Sequence, residues 1–336
     1  MKYATLALVG SLITVMLNIQ ATVKSDKVAP MADVAPAHPR LLFSQSDLPG
    51  IKKRAELPIF KPTVKRLLER AEWQLSLASA SANLPSQSAD LSSPDQLKEE
   101  IASAPCKDTE RLDAVRKLFE RMGATPADIA VERFKNVENL VISKPGLSSE
   151  KIVIGAHYDK ASDGCGAIDN WTGIVVLAHL YKSLKDAALN KTVLFVAFGK
   201  EEKGLFGSSA MVSAIPKDQL DHYCAMINID SFGLGVPQVL DNVSNAKLRN
   251  LAVDLAKEMK IPFSSASVNA DADSSSFMKK KIPAVTLHGL SNEWASIIHT
   301  ANDKPSRVNP MSVYLGYQLT LALATHLDRD PCGAYR

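Results

Sequence analysis

The sequence has no excess of charge of either sign. Lysine plus arginine number 39 and aspartate plus glutamate number 36, so the formal net charge is +3. Proteins that bind nucleic acid through phosphate contacts carry a clear basic excess or a basic stripe, and this chain has neither. Charged residues make up 22% of the chain and hydrophobic residues 46%, which is ordinary for a globular protein. We therefore predict a folded protein without a nucleic-acid partner.

Beyond the N-terminus, the sequence also lacks apolar runs long enough to cross a membrane. Residues 3–17 are apolar or small, and Lys2 is the only charged residue among residues 1–23. A basic start, a short apolar core and a small residue at Ala21 are typical of a secretory signal peptide. We expect residues 1–21 to be this signal, and the mature protein to be exported (periplasmic or extracellular) without stable membrane insertion.

Cysteine is scarce, and no two of the 4 cysteines have the CxxC spacing of zinc fingers and redox motifs. Export permits disulfides, and three full pairings are open on the sequence alone. The bonds Cys165–Cys224 and Cys106–Cys332 are two guesses among them.

Composition divides the rest of the chain unequally. Residues 22–94 contain an Ala/Pro-rich start, a helical pattern from Gln45 to Leu75 and a Ser-rich linker, and they form an extension that is a candidate pro-segment. Residues 95–336 have the pattern of one large domain.

Apolar runs and helical patterns alternate along this domain. The predicted strands are 131–134, 139–143, 151–156, 192–198, 224–229 and 284–287. The predicted helices include 109–123, 173–184 and 245–259. Continuous apolar strands between helices indicate an α/β fold of three layers, helix–sheet–helix, with a mostly parallel central sheet. Ligands of such sheets bind beyond the carboxyl ends of the strands.

Side chains that bind metals follow the predicted strands. In chain order they are His157, Asp169, Glu202, Asp230 and His299. Two imidazoles and three carboxylates suit borderline divalent metals, zinc first. Five ligands are too many for one catalytic zinc with an open position, so we predict two Zn²⁺ ions that share one carboxylate. Asp169, in a turn preceded by a glycine, is the expected bridge.

Two more carboxylates are expected to assist these ligands. Glu201 and Glu202 are adjacent, so one of them can bind a metal while the other acts as a general base. Asp159 follows His157 by two residues and lies on the same side of an extended segment. It is therefore expected to accept the second ring N–H of His157.

The order of these motifs resembles the co-catalytic dizinc aminopeptidases of metallopeptidase family 28, the group of bacterial leucyl aminopeptidase and aminopeptidase Y. The motifs are HYD, GAIDNWTG, FVAFGKEEKGLFGS, NIDSFG and IHT, within roughly residues 95–328. The resemblance implies a zinc-exopeptidase (phosphorylase/hydrolase-like) fold. It also implies an enzyme that removes N-terminal residues from peptides or proteins.

The resemblance further implies a role for each residue. It assigns His157 and Asp230 to one zinc, Glu202 and His299 to the other, and Asp169 to the bridge. Glu201 becomes the general base that acts on a water held between the metals.

Two departures from the family pattern leave the substrate preference open. Many members have Asp-His ahead of a phenylalanine, whereas here Asp273 is followed by Ser274. The last motif is usually followed by Asp-Thr, but here Asp303 precedes a lysine. Asp303 is a weaker candidate to orient His299.

Two alternative functions remain open. A glutaminyl-cyclase-like acyltransferase uses the same fold with one zinc, and the presence of both His157 and Asp230 favours two metals instead. A non-catalytic binding domain is the other alternative, although such relatives generally lose metal ligands. The oligomeric state is not indicated.

Overall fold

The computed structural model describes residues 91–268 and 270–336. The predicted signal peptide, most of the N-terminal extension and the helical pattern within it lie outside the described residues, and the domain boundaries stay predictions. No helix in the described part of the chain is long and apolar enough to cross a membrane.

The described residues form an eight-stranded sheet with the order β1-β2-β4-β3-β5-β8-β6-β7. The strands are β1 Ile129–Phe134, β2 Val137–Lys144, β3 Lys151–His157, β4 Thr192–Phe198, β5 Tyr223–Ile229, β6 Gln238–Leu240, β7 Ser264–Ala266 and β8 Ala284–His288. The four central strands β4, β3, β5 and β8 pair in parallel. β2 and β6 flank them in antiparallel pairing.

Helices cover both faces of the sheet. They are α1 Pro94–Ala102, α2 Asp108–Arg121, α3 Thr172–Leu184, α4 Phe206–Ala214, α5 Ala246–Glu258, α6 Asp273–Lys279 and α7 Pro310–Arg329. α2, α3, α5 and α7 contribute to the larger apolar core on one face. α4 and α6 contribute to a second core on the other face. The predicted three-layer α/β fold with a mostly parallel centre is confirmed.

The alternation of side chains along β3 explains the two cores. Ile152 and Ile154 belong to the core with α3 and α7, whereas Val153 belongs to the core with α4 and α6. All three are fully buried. Successive side chains of a strand point to opposite faces, so a continuous apolar run serves a sheet that is covered on both sides.

The predicted strands and helices are found with small shifts at their ends. The helix predicted from residue 109 spans Asp108–Arg121, and no side-chain hydrogen bond caps its start. Asp108 lies in the first turn, and its carboxylate accepts the backbone N–H of Lys160. The two three-residue strands β6 and β7 were not predicted, because so short a run has no periodicity.

Both guessed disulfides are wrong. The bonds join Cys106 to Cys165 and Cys224 to Cys332. Cys224 lies at the start of β5, whereas Cys165 lies in the segment beyond the end of β3. Because β3 and β5 are parallel, those two positions lie at opposite ends of the two strands. A disulfide cannot span that distance.

Candidate metal centre

The predicted ligands meet at the carboxyl edge of the sheet. His157 is the last residue of β3, Asp230 follows the end of β5, and Glu202 lies in the loop after β4. Since β4, β3 and β5 are adjacent and parallel, their carboxyl ends lie side by side. Asp169 comes from an irregular helical turn between β3 and α3, and His299 comes from the loop after β8.

The first cluster, which we call the buried group, consists of His157, Asp169 and Asp230. Nε2 of His157 lies 3.1 Å from Oδ1 of Asp169 and 3.6 Å from Oδ1 of Asp230. The ligand atoms of this group lie within 4.8 Å of one another. The side chain of His157 is only 2% exposed.

The second cluster, the open group, consists of Asp169, Glu202 and His299. Nε2 of His299 lies 2.9 Å from Oδ2 of Asp169 and 3.2 Å from Oε2 of Glu202. The His299 side chain is 54% exposed. Asp169 therefore turns one oxygen towards each group, which is the arrangement that a bridging carboxylate requires.

The donors of the two groups fit two divalent ions of the zinc type. Each group combines one imidazole nitrogen with carboxylate oxygens, and such donors bind zinc. Oε1 of Glu202 is buried and has no hydrogen-bond partner. A buried carboxylate oxygen without a partner is costly, and a bound cation would supply that partner.

The carboxylates raise the pKa of both imidazoles. Hydrogen bonds with Asp169 and Glu202 raise the pKa of His299 to about 10. Burial opposes the charge on His157, but hydrogen bonds with Asp159, Asp169 and Asp230 hold its pKa well above the ordinary value. Because an imidazole must be neutral to bind a metal, these protons compete with a metal for the same nitrogens.

Asp159 supports both β3 and the loop after β4. Its backbone carbonyl lies 3.2 Å from Nδ1 of His157, and its carboxylate lies 3.6 Å from the same nitrogen. The carboxylate also accepts the backbone N–H groups of Glu201 at 2.9 Å and Glu202 at 3.2 Å. Asp159 thus occupies Nδ1 of His157, which leaves Nε2 directed at the ligand carboxylates. The link to the Glu201–Glu202 backbone was not expected from the sequence.

Glu201 is a partly buried carboxyl group beside the two groups. Burial raises its pKa to about 9, and the charges of Asp273, Asp230 and Asp169 add to this effect. A carboxyl group with so high a pKa holds its proton at neutral pH. Positive charge bound among the neighbouring carboxylates would lower this pKa again and restore the basic form.

Asp303 does not orient His299 in the predicted way. Its two carboxylate oxygens accept the backbone N–H of Ile168 at 2.7 Å and that of Asp169 at 3.1 Å. The loop that carries Asp303 lies against the turn that carries Asp169, so the carboxylate of Asp303 binds the backbone of that turn. Asp303 therefore supports the bridge candidate instead.

Two asparagines that the sequence reading missed hold the loops of the site. Asn170 accepts N–H groups from Gly173 and Ser231 and donates to the carbonyl of Ile229. Asn139, on β2, links the two ends of the loop after β4, since it accepts from Gly199 and donates to the Gly207 carbonyl. The sequence contained one signal for the role of Asn170, which is its position directly after Asp169.

Two tryptophans and one histidine lie in or beside the loops that surround the site. Trp171 is buried in the core and donates its indole N–H to the carbonyl of Glu100. His288 ends β8 and accepts the N–H of Leu290, and burial lowers its pKa to about 4. Trp294 packs in a small apolar cluster that includes Ile168 and Ile298.

Comparison with known proteins identifies relatives of the domain. The profile of Peptidase family M28 matches residues 139–323. Aminopeptidase YwaD of Bacillus subtilis is 30% identical over 126 residues, which are 37% of this chain and 26% of YwaD. The chain spans between 26% and 31% of the length of the curated relatives it matches.

Solved structures share the fold. The LapA aminopeptidase of Legionella pneumophila superposes with a TM-score of 0.60 at 21% identity, over 78% of this chain and 75% of LapA. A glutaminyl cyclase from an Acidobacteriales bacterium superposes with a TM-score of 0.63 at 17% identity, over 73% of this chain and 98% of the cyclase. At these identities the likeness demonstrates the fold alone.

The family profile decides the assignment. Its match covers more than half of the chain and runs from β2 to α7. All five ligand candidates, from His157 to His299, lie within the matched residues. The chain belongs to Peptidase family M28.

Proposed function

We propose that this protein is an exported, zinc-dependent aminopeptidase that removes N-terminal residues from peptides or proteins. The observation that carries the proposal is the pair of ligand groups that share Asp169, with Glu201 beside them. Five protein ligands on two positions suit two zinc ions, and a carboxyl group next to both suits general-base chemistry.

Zinc bound by these groups would polarise the scissile carbonyl and make a water molecule more acidic. Residues of the protein transfer the proton and keep the reacting groups in position. Glu201 accepts a proton from the attacking water and delivers it to the leaving amine. Asp159 holds Nδ1 of His157 and the backbone of Glu201 in one arrangement, so the base and the ligand keep a constant separation.

Two observations support export. The N-terminal residues have the pattern of a signal peptide, and all four cysteines form disulfides in the described domain. Disulfides persist in oxidising compartments and are rare in the cytosol.

Hydrolysis of a panel of aminoacyl fluorogenic substrates by the full chain tests the proposal. We expect activity that a chelator removes and zinc restores, together with two equivalents of zinc per chain. Blocking the substrate's amino group should abolish cleavage. No chelator-sensitive cleavage across a broad panel would contradict the proposal and favour a binding domain.

A peptide with N-terminal glutamine separates the proposal from the cyclase alternative. An aminopeptidase releases free glutamine and the shortened peptide. Ring closure with loss of ammonia, together with one zinc per chain, would favour a glutaminyl cyclase.

A further inference from the structure

One arginine lies completely buried behind the metal centre. Arg111 belongs to α2 and has no exposed surface. Burial lowers its pKa to about 10, so the guanidinium is charged at neutral pH. A buried charge is tolerated only where hydrogen bonds and counter-charges satisfy it. The partners of Arg111 therefore indicate what it holds in place.

The guanidinium donates to four backbone carbonyls. Nε donates to Tyr158, and Nη1 donates to Pro105 at 3.1 Å and to Cys165 at 2.9 Å. Nη2 donates to Gly166 at 3.2 Å. The group also stacks on the ring of Trp171, 5.3 Å from the ring centre.

Two of these carbonyls lie next to segments that carry ligands of the buried group. Tyr158 lies between His157 and Asp159, and Gly166 precedes the helical turn that carries Asp169. One rigid, planar side chain thus ties the segment after β3 to the turn that carries the bridge candidate.

The packing around Gly166 leaves little freedom for this turn. Gly166 has φ +57, and an added Cβ would lie 2.6 Å from Cβ of Lys160 and 2.8 Å from the carbonyl of Asp169. The same Cβ would lie 3.2 Å from Nη1 of Arg111. The disulfide between Cys106 and Cys165 joins the residues just before α2 to the same segment.

Arg111 and Cys106 precede the residues that match the family profile, which begin at residue 139. The support for the buried group therefore comes from a part of the chain outside that match.

We propose that Arg111 is a positioning residue that fixes the spacing of His157 and Asp169 and so determines how tightly the buried group binds its metal. This inference rests on the proposed metal centre. It assigns Arg111 no contact with substrate or metal. Its effect passes through the carbonyls of Tyr158 and Gly166.

Replacing Arg111 with lysine tests the positioning role. Lysine keeps the positive charge but cannot reach four carbonyls with one ammonium group. In Arg111→Lys we expect zinc binding, measured by competition with a chelator, to weaken by about 10- to 100-fold. The absorption spectrum of the Co²⁺-substituted protein should change as well, because the ligands around the ion have moved.

Arg121→Lys is the matched control. Arg121 lies on the same helix and binds the Glu100 carboxylate at the surface, so this substitution should leave zinc binding within about twofold of the wild type. Unfolding of apo and zinc-loaded protein separates positioning from simple destabilisation. A positioning role reduces the rise in unfolding midpoint that zinc produces. Equal shifts of both midpoints, with unchanged zinc affinity, would overturn the proposal.

The disulfides provide a second test if Arg111→Lys does not fold. Substituting serine for Cys106 and Cys165 releases the same segment, while the same change at Cys224 and Cys332 releases a remote one. Weaker zinc binding in the first variant alone supports the proposal, and equal zinc binding in both contradicts it. A wild-type protein that binds no zinc would instead contradict the proposed function itself.

Discussion

The buried group and the open group share Asp169 but are built differently. In the buried group, His157 belongs to a central strand whose backbone pairs on both sides, and its side chain is 2% exposed. In the open group, His299 lies in a loop with φ +57 and is 54% exposed. Rigid surroundings favour tight binding at the first position, whereas the loop at the second permits movement and solvent access.

This difference predicts that the two groups exchange their metals at different rates. A metal held by the buried group would exchange slowly, because its ligands are fixed by the sheet, Asp159 and Arg111. A metal held by the open group would exchange faster and lie nearer to entering substrate. The following substitutions test that comparison, beginning with the largest expected effect.

Replacing the two histidines one at a time should separate the groups most strongly. His157→Ala removes the cationic partner of Asp159, Asp169 and Asp230, the first two of which are buried. We expect the free energy of unfolding of the apo protein to fall by about 3–5 kcal/mol. His299→Ala removes an exposed partner and should cost under about 1 kcal/mol. Denaturant unfolding of both variants measures the difference.

The same two variants should differ in zinc dependence. Excess zinc should partly restore the activity of His299→Ala but not that of His157→Ala. Equal unfolding energies and equal rescue would contradict the contrast between a buried and an open group.

Asp159→Asn should give a smaller loss than His157→Ala. Asparagine keeps one acceptor oxygen and loses the other, so it cannot accept from both Glu201 and Glu202 as the carboxylate does. We expect activity or zinc affinity to fall by about 10- to 100-fold. Asp128→Asn is a control, because Asp128 accepts a backbone N–H from Thr125 in the turn before β1. Similar losses in both variants would argue against a specific role of Asp159.

The sequence allowed the prediction of six of the eight described strands and of every ligand candidate for one physical reason. Long apolar runs mark the buried parallel strands, and the residues after them must lie at one edge. The partners of Asp303 could not be predicted in this way, because they depend on how two distant loops pack. Arg111 was missed for the same reason, since three of its four partners are backbone carbonyls 47, 54 and 55 positions away in sequence.

The disulfides illustrate the same limit. Four cysteines allow three full pairings, and spacing does not distinguish them. The parallel pairing of β3 with β5 places Cys224 and Cys165 at opposite ends of the two strands.

The pH dependence of stability should show the smallest of the predicted effects. In the apo protein the pKa of His299 is raised to about 10 and that of Glu201 to about 9. The folded state then binds more protons than the unfolded state, so the stability of the apo protein should fall as pH rises from about 6.5 to 10. Zinc displaces these protons, and the zinc-loaded protein should lose less stability over this range.

Calorimetry in buffers of different ionisation enthalpy measures the protons released when zinc binds. At pH 7.5 we expect more than one proton per chain. Binding without proton release would indicate that both histidines are neutral in the apo protein.

The zinc content and turnover of Glu201→Gln test the central claim most directly. Glutamine has nearly the same shape but cannot accept the proton from water. The account predicts two bound zinc ions, as in the wild type, and a turnover lower by about 10²- to 10⁴-fold. Wild-type turnover in this variant would contradict the assignment of Glu201 as the base, and loss of a zinc ion would contradict the separation of base from ligands.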